Sequence, residues 1–261
     1  MKFGMPTLIE FKSIEDAVKL ASKAGLSFVE LNMNLPYCTI EALHNTDLKR
    51  MERQYGVSFT LHADENLFFC DFSHRVAQAH LENMLDAIGF AKENNISLIN
   101  FHMSRGVYFT LPESKKYLFE EYQQIYTKRL LHFRNLCDKE AAGELKLCIE
   151  NTGISELFVQ NGVDLLLGSP SFALTWDVGH DYSAGCADRQ FLMDRKDRIY
   201  HMHLHDSRGK DCHLPLGEGD MDWMTCMKLA EPQRVVIEVK TAAGLIASLP
   251  VLKQHFPSSF Q

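Results

Sequence analysis

Two periods alternate along this chain. Short apolar runs rich in β-branched and aromatic residues read as strands at Phe3–Met5, Phe28–Asn32, Ser58–His62, Leu98–Met103, Lys146–Glu150, Phe172–Asp177, Ile199–Leu204 and Val235–Val239. Between them, apolar residues return every three or four positions, which predicts helices over Ile14–Ala24, Ile40–Tyr55, Arg75–Asn94, Lys115–Glu140, Ser155–Leu167, Ala187–Lys196, Trp223–Lys228 and Ala242–His255. Strict alternation of strand and helix implies right-handed βαβ units on a parallel sheet. Eight such units predict an α/β protein built as a single (β/α)8 barrel, with residues 1–261 as one domain, since such a barrel takes about 250 residues. The sequence contains no Gly/Ser or Pro-rich linker, low-complexity tract or internal repeat beyond the βα unit that would divide it.

In a barrel of this topology every strand points its C-terminal end at the same rim, so residues distant in sequence converge there. Nine potential metal ligands occupy such positions: His62, His102, Glu150, Asp177, His180, His203, Asp211, His213 and Glu238. A lone histidine at a strand end is usually a hydrogen-bonded structural residue; two at equivalent ends, His62 and His102, point to a ligand role. Glu150 closes a run of apolar residues, where an ionised carboxylate costs several kcal/mol unless it is paired or metal-bound. In Trp176-Asp177-Val178-Gly179-His180 the glycine permits a tight turn, so an Asp at a strand end and a His one turn onward can address the same or adjacent ions. Period two puts His201, His203 and His205 on one face. The deepest, His201, reads as a core histidine and His203 as the ligand, with His205 open between the two. Asp211 and His213 read as a same-side pair in an extended loop, leading through Gly217-Glu218-Gly219 into a helix capped by Asp220 or Asp222. Glu238 places a second buried carboxylate across the rim from Glu150, and two carboxylates flanking a metal suit acid/base chemistry.

These segments resemble the endonuclease IV and xylose-isomerase-like TIM-barrel superfamily, the type 2 AP endonuclease fold that also includes sugar phosphate isomerases and epimerases. The resemblance runs through Leu61-His62-Ala63, Asn100-Phe101-His102, Ile149-Glu150-Asn151-Thr152, Asp177-Val178-Gly179-His180, His203-Leu204-His205-Asp206, the stretch from Asp211 to Gly219, and Glu238. It implies up to three zinc ions. Glu150 would bridge two of them, joined at one by His62 and His102 and at the other by Asp177, His203 and Glu238; His180, Asp211 and His213 would hold the third. Such a cluster hydrolyses phosphoesters by lowering the pKa of a bridging water and stabilising the leaving oxygen. The same superfamily implies an alternative, a sugar or sugar-phosphate isomerase or epimerase using one ion, manganese for example, at Glu150, Asp177, His203 and Glu238. Glu150 and Glu238 would then exchange the proton, and His180 would touch substrate.

Loop composition bears on the choice. The resembling endonucleases carry basic, aromatic segments after the second strand, whereas Met33–His44 here contains no Lys or Arg, and Asp64 and Glu65 after His62 would repel a phosphate backbone. A small phosphorylated or sugar substrate is expected over duplex DNA. Three divalent ions would offset six of the seven formal negative charges, so net acidity excludes neither reaction. Arg105, Arg208, Lys210 and Lys240 are candidate anchors for substrate oxygens, and Phe68 and Trp176, with Tyr37 and Phe69, are candidate pocket walls. The N-terminus lacks the apolar core of a signal peptide and no 18-residue apolar run could cross a membrane, so a cytoplasmic protein is expected. Seven cysteines without a CxxC motif read as reduced thiols, Cys212 among them.

Overall fold

In the computed structural model, which describes residues 1–260, eight parallel strands close on themselves: β1 Lys2–Pro6, β2 Phe28–Asn32, β3 Ser58–His62, β4 Leu98–His102, β5 Lys146–Glu150, β6 Phe172–Asp177, β7 Ile199–Leu204 and β8 Arg234–Ile237. Their order around the barrel follows the sequence, and β8 pairs with β1 to complete the ring. The result is a single (β/α)8 TIM barrel. Register determines which rim residues become neighbours: Asn32 lies opposite His62, His102 opposite Glu150, and Asp177 opposite His203.

Packing inside the ring matches large residues to small ones. A side chain on Gly4 would start 2.5 Å from the Phe28 ring, so the glycine of β1 makes room for the phenylalanine of β2. Outside the ring, Phe69 stacks on Phe133 at 3.7 Å, and Phe133 meets Phe101 and Phe172 edge-on, each at 5.9 Å. This aromatic group pins β4 and β6 to the helix Gln123–Ala141, and each buried ring contributes about 1.5–3 kcal/mol.

Several boundaries differ from those the sequence pattern predicts. Ile40–Tyr55 is two helices, Ile40–His44 and Leu48–Tyr55, because the Asp47 side chain accepts the Arg50 N–H and starts a new helix. Lys115–Tyr117 is a strand paired antiparallel with Tyr108–Thr110, and the helical part of that segment lies in Leu118–Glu121 and Gln123–Ala141. A short helix, Val178–Ser183, follows β6 directly, capped by the Asp177 carboxylate, while the next helical piece is only Arg189–Met193. β8 ends at Ile237. Glu238 still donates its backbone N–H to Leu204, but Val239 turns back to bond Ile237, leaving Glu238 where the chain departs from the sheet. Asp206–Arg208 and Asp211–Leu214 form a second hairpin after β7. Among the described residues no helix is long and apolar enough to cross a membrane, and all seven cysteines are free thiols.

Candidate metal centre

β5 delivers Glu150 almost fully buried, and its Oε2 is where the rim side chains meet. Asn100 on β4 donates to it at 2.6 Å, and Thr175 on β6 holds Asn100 in turn, also at 2.6 Å. Around the same oxygen stand His102 Nε2 at 3.2 Å, His203 Nδ1 at 3.2 Å and His62 Nε2 at 3.4 Å. Glu238 Oε2 is also 3.2 Å from the same His203 Nδ1. Asp177 completes the group: its Oδ2 is 4.0 Å from His203 Nδ1 and 2.8 Å from His180 Nδ1.

These atoms are drawn together as ion pairs, His180 Nδ1 and Asp177 Oδ2 most closely at 2.8 Å, without well-directed hydrogen bonds. His102 Nε2, Asp177 Oδ2, His180 Nδ1, His203 Nδ1 and Glu238 Oε2 are buried and have no hydrogen-bond partner among the described residues. A buried polar atom left unmatched costs about 1–3 kcal/mol, more for a charged group, so five poorly directed donors and acceptors at one point favour a shared partner. Oxygen and imidazole donors aimed at one another fit a divalent cation such as zinc or manganese.

Electrostatics favour the same occupant. Burial alone would raise the carboxyls of Glu150, Asp177 and Glu238, yet the facing histidines hold all three low. Burial would likewise lower His62 and His180, but Glu150 and Asp177 respectively override it and raise each to about 9. His203 is raised by Glu150, Glu238 and Glu30 against the same penalty. The carboxylates therefore hold positive charge at this point, as protons when nothing else supplies it. His213 goes the other way, down to about 4, because it is desolvated and sits beside His205.

Hydrogen bonds from outside the cluster determine which ring nitrogen faces inward. His62 Nδ1 donates to the Ala63 carbonyl at 2.9 Å, which leaves Nε2 for Glu150. His205 has neither nitrogen free: Nε2 donates to Asp177 Oδ1 at 3.1 Å and Nδ1 accepts the His213 backbone N–H at 2.7 Å. Both of its nitrogens are engaged in orienting Asp177 and the His213 backbone, while its ring lies within 4.8 Å of donor atoms on Asp177, Glu238, His180 and His213. His213 Nδ1 donates to the Glu238 carbonyl at 2.9 Å, and its Nε2 lies 3.1 Å from that of His180.

Of the nine candidate ligands, eight come together at the mouth and Asp211 does not. Asp211 is exposed on the hairpin opposite Arg208. The expected same-side pairing with His213 fails because His213 has φ +58°, which breaks the extended alternation on which that reading depended. Trp176 also departs from expectation. It alternates with Asp177 on β6, so its ring is fully buried toward the helix layer, where Nε1 donates to Asp181 at 3.3 Å and the Arg189 guanidinium lies over the ring. Phe68 is half-buried against Phe119, Phe69 is buried in the aromatic group, and the Tyr37 hydroxyl donates to the Leu8 carbonyl. Arg105 is tied to Glu156 at 3.0 Å and Tyr117 at 3.1 Å over Gly153, where any side chain would meet its guanidinium. Arg208 binds the Glu218 carbonyl, and Lys210 is exposed beside it. Of the four cations, Lys240 is the one paired with a residue of the cluster, its Nζ 3.8 Å from Glu238 Oε1.

The sequence reading passed over Glu30 and Asn100. Each is a solitary polar residue in an apolar strand run, Phe28-Val29-Glu30-Leu31 and Ile99-Asn100-Phe101, and that isolation is the signal that could have found them.

A family model described as xylose isomerase-like TIM barrel matches residues 18–255. An uncharacterized protein of Methanocaldococcus jannaschii is 23% identical over 230 residues, covering 85% of each chain. Among solved structures, a D-tagatose 3-epimerase-like protein superposes with a TM-score of 0.77 at 21% identity, covering 99% of this chain and 98% of its own. The zinc-bound IolI protein superposes at 0.75 with 15% identity over the whole of both chains. Endonuclease IV from Thermus thermophilus superposes at 0.65 with 16% identity, covering 97% of this chain and all of its own. At these identities the superpositions establish the fold.

Proposed function

This chain belongs to the xylose isomerase-like TIM-barrel family, and from that premise we propose that it is a divalent-metal-dependent isomerase or epimerase acting on a small sugar or sugar phosphate. The observation that carries this reading is the placement of Glu150 and Glu238. Their Oε2 atoms each lie 3.2 Å from His203 Nδ1, with Asp177 Oδ2 4.0 Å from the same atom, so three carboxylates converge on one buried imidazole nitrogen.

Glu150, Asp177, His203 and Glu238 would hold the ion. When bound, it supplies a positive charge that polarises a substrate carbonyl and the adjacent hydroxyl, acidifying the C–H between them. The protein's own part is proton transfer. One glutamate takes the proton from that carbon, the electron pair moves into the carbonyl, and the other returns a proton from the opposite face, inverting the centre without net change in oxidation. The Asn100 amide holds Glu150 in one orientation, and the His180 ring, half-buried at the edge, is placed to donate to a substrate oxygen.

The second reading, hydrolysis of a phosphoester by several ions, is favoured by His62 and His102, which stand at Glu150 Oε2 beyond the needs of one ion. It ranks second because Asp211, the carboxylate expected for a third ion, lies outside the cluster, and the loops near the mouth keep the acidic, DNA-averse composition described above. Metal stoichiometry on protein purified without chelator separates the two. One tightly held ion per chain, with deuterium from solvent entering a ketose or keto-polyol, supports the isomerase. Two or three ions with phosphoester cleavage and no such exchange would replace it.

A further inference from the structure

Beneath the centre lies a carboxylate that takes no part in the chemistry above. Glu30, on β2, is about 1% exposed and receives three donors: His203 Nε2 on Oε1 at 2.9 Å, and His201 Nε2 and the Thr60 hydroxyl on Oε2, each at 3.0 Å. Three donors converging on one buried carboxylate keep it ionised. An ionised carboxylate can only accept, so His203 must present Nε2–H to it and turn Nδ1, the atom without a hydrogen-bond partner, toward Glu150, Asp177 and Glu238.

We infer that Glu30 is the positioning residue of the centre, selecting the His203 tautomer and ring orientation that leave Nδ1 free for a divalent ion. The inference rests on the metal reading proposed above. His201 serves the same carboxylate one layer deeper. It occupies Oε2, so Oε1 is left to His203 alone, and the carboxylate, tied to β3 by Thr60 and to β7 by the two histidines, holds the imidazole from behind. His203 is fully buried, which removes water as a competing partner for Nε2. A carboxylate behind a ligating imidazole also raises the basicity of the coordinating nitrogen, and loss of such a partner typically lowers metal affinity by about 10–100-fold.

The test measures manganese and zinc affinity by competition with a fluorescent chelator in wild type, Glu30→Gln and Thr60→Val, and records the His203 imidazole nitrogens by NMR in the zinc-loaded protein. Glu30→Gln keeps the shape and removes the charge. Thr60→Val removes a different donor from the same carboxylate. The expected result is Glu30→Gln at least about tenfold weaker in metal affinity, with its His203 Nε2–H resonance shifted, and Thr60→Val within about threefold of wild type. Equal affinities and an unchanged resonance in Glu30→Gln would overturn the inference while leaving the metal reading intact. Equal losses in both variants would also overturn it, by showing that the polar layer matters only as a whole. Wild type without tight metal binding would sink the metal reading itself, and the inference with it. Should Glu30→Gln not accumulate as folded protein, Glu30→Asp, which withdraws the carboxylate from His203, is expected to give the same loss.

Discussion

His205 and Asp177 are joined at 3.1 Å by a hydrogen bond whose direction is set from behind, because the other nitrogen of His205 is already taken by the His213 backbone. Asp177 Oδ1 is thereby committed, and only Oδ2 faces the centre. Replacing His205 with Ala leaves Asp177 Oδ1 held by the His180 backbone N–H alone and leaves the His213 N–H unmatched. Metal affinity is expected to fall by about 10–100-fold. X-ray absorption at the zinc edge should count as many imidazoles as in wild type. A count lower by one would make His205 a ligand.

Metal uptake at pH 7 is expected to release protons. His62 and His180 are raised to about 9 by Glu150 and Asp177 against the effect of burial, so both carry a proton at neutral pH in the metal-free protein. An ion held by Glu150 and Asp177 takes over the charge balance that keeps those protons on the two imidazoles, and so drives them off. Affinity should therefore climb between pH 6 and 9 and level off above, where the protons have already left. Calorimetry in two buffers of different ionisation enthalpy checks this directly. Heats that do not depend on the buffer would contradict it.

Gly179 admits no side chain. A Cβ there would lie 2.0 Å from His205 Cε1, within a short helix whose start is the Asp177 cap. Gly179→Ala should displace the His205 ring, costing about 1–3 kcal/mol of stability as overpacking and weakening the Asp177 contact with it. Thermal melts and metal affinity should fall together. An unchanged affinity would mean that His205 can move without disturbing Asp177.

Trp176 is expected to matter for stability and not for turnover. Its ring faces the helices and its Nε1–H serves the buried Asp181. Trp176→Phe loses that bond for about 1–3 kcal/mol. The kcat of the reaction, once a substrate is in hand, should stay within about twofold. A large loss in kcat with little change in melting would place the ring in the substrate pocket after all.

Glu150→Gln and Glu238→Gln are expected to leave the fold in place and cut turnover by about 10²–10⁴-fold, since each removes one end of the proton exchange. Asp211→Ala, outside the cluster, should leave turnover near wild type. If Asp211→Ala were as damaging as Glu150→Gln, the multi-ion reading would regain first place.

The barrel, and the rim positions of His62, Glu150, Asp177, His203 and Glu238, could be read from the chain because both follow from local rules. Strand period and strand–helix alternation are short-range properties, and parallel closure sends every strand end to one rim whatever the intervening loops contain. What a side chain does at that rim is a long-range property. Whether His203 offers Nδ1 or Nε2 depends on Glu30, 173 residues away in sequence, and whether His205 binds metal or holds a ligand depends on a backbone N–H eight residues on. Asp211 is separated from His213 by a single left-handed backbone angle, and Trp176 from Asp177 by the alternation of one strand whose inward face is known only once the sheet closes. Hydrophobic pattern specifies where the backbone goes. Tertiary packing decides which lone pairs remain free when it arrives.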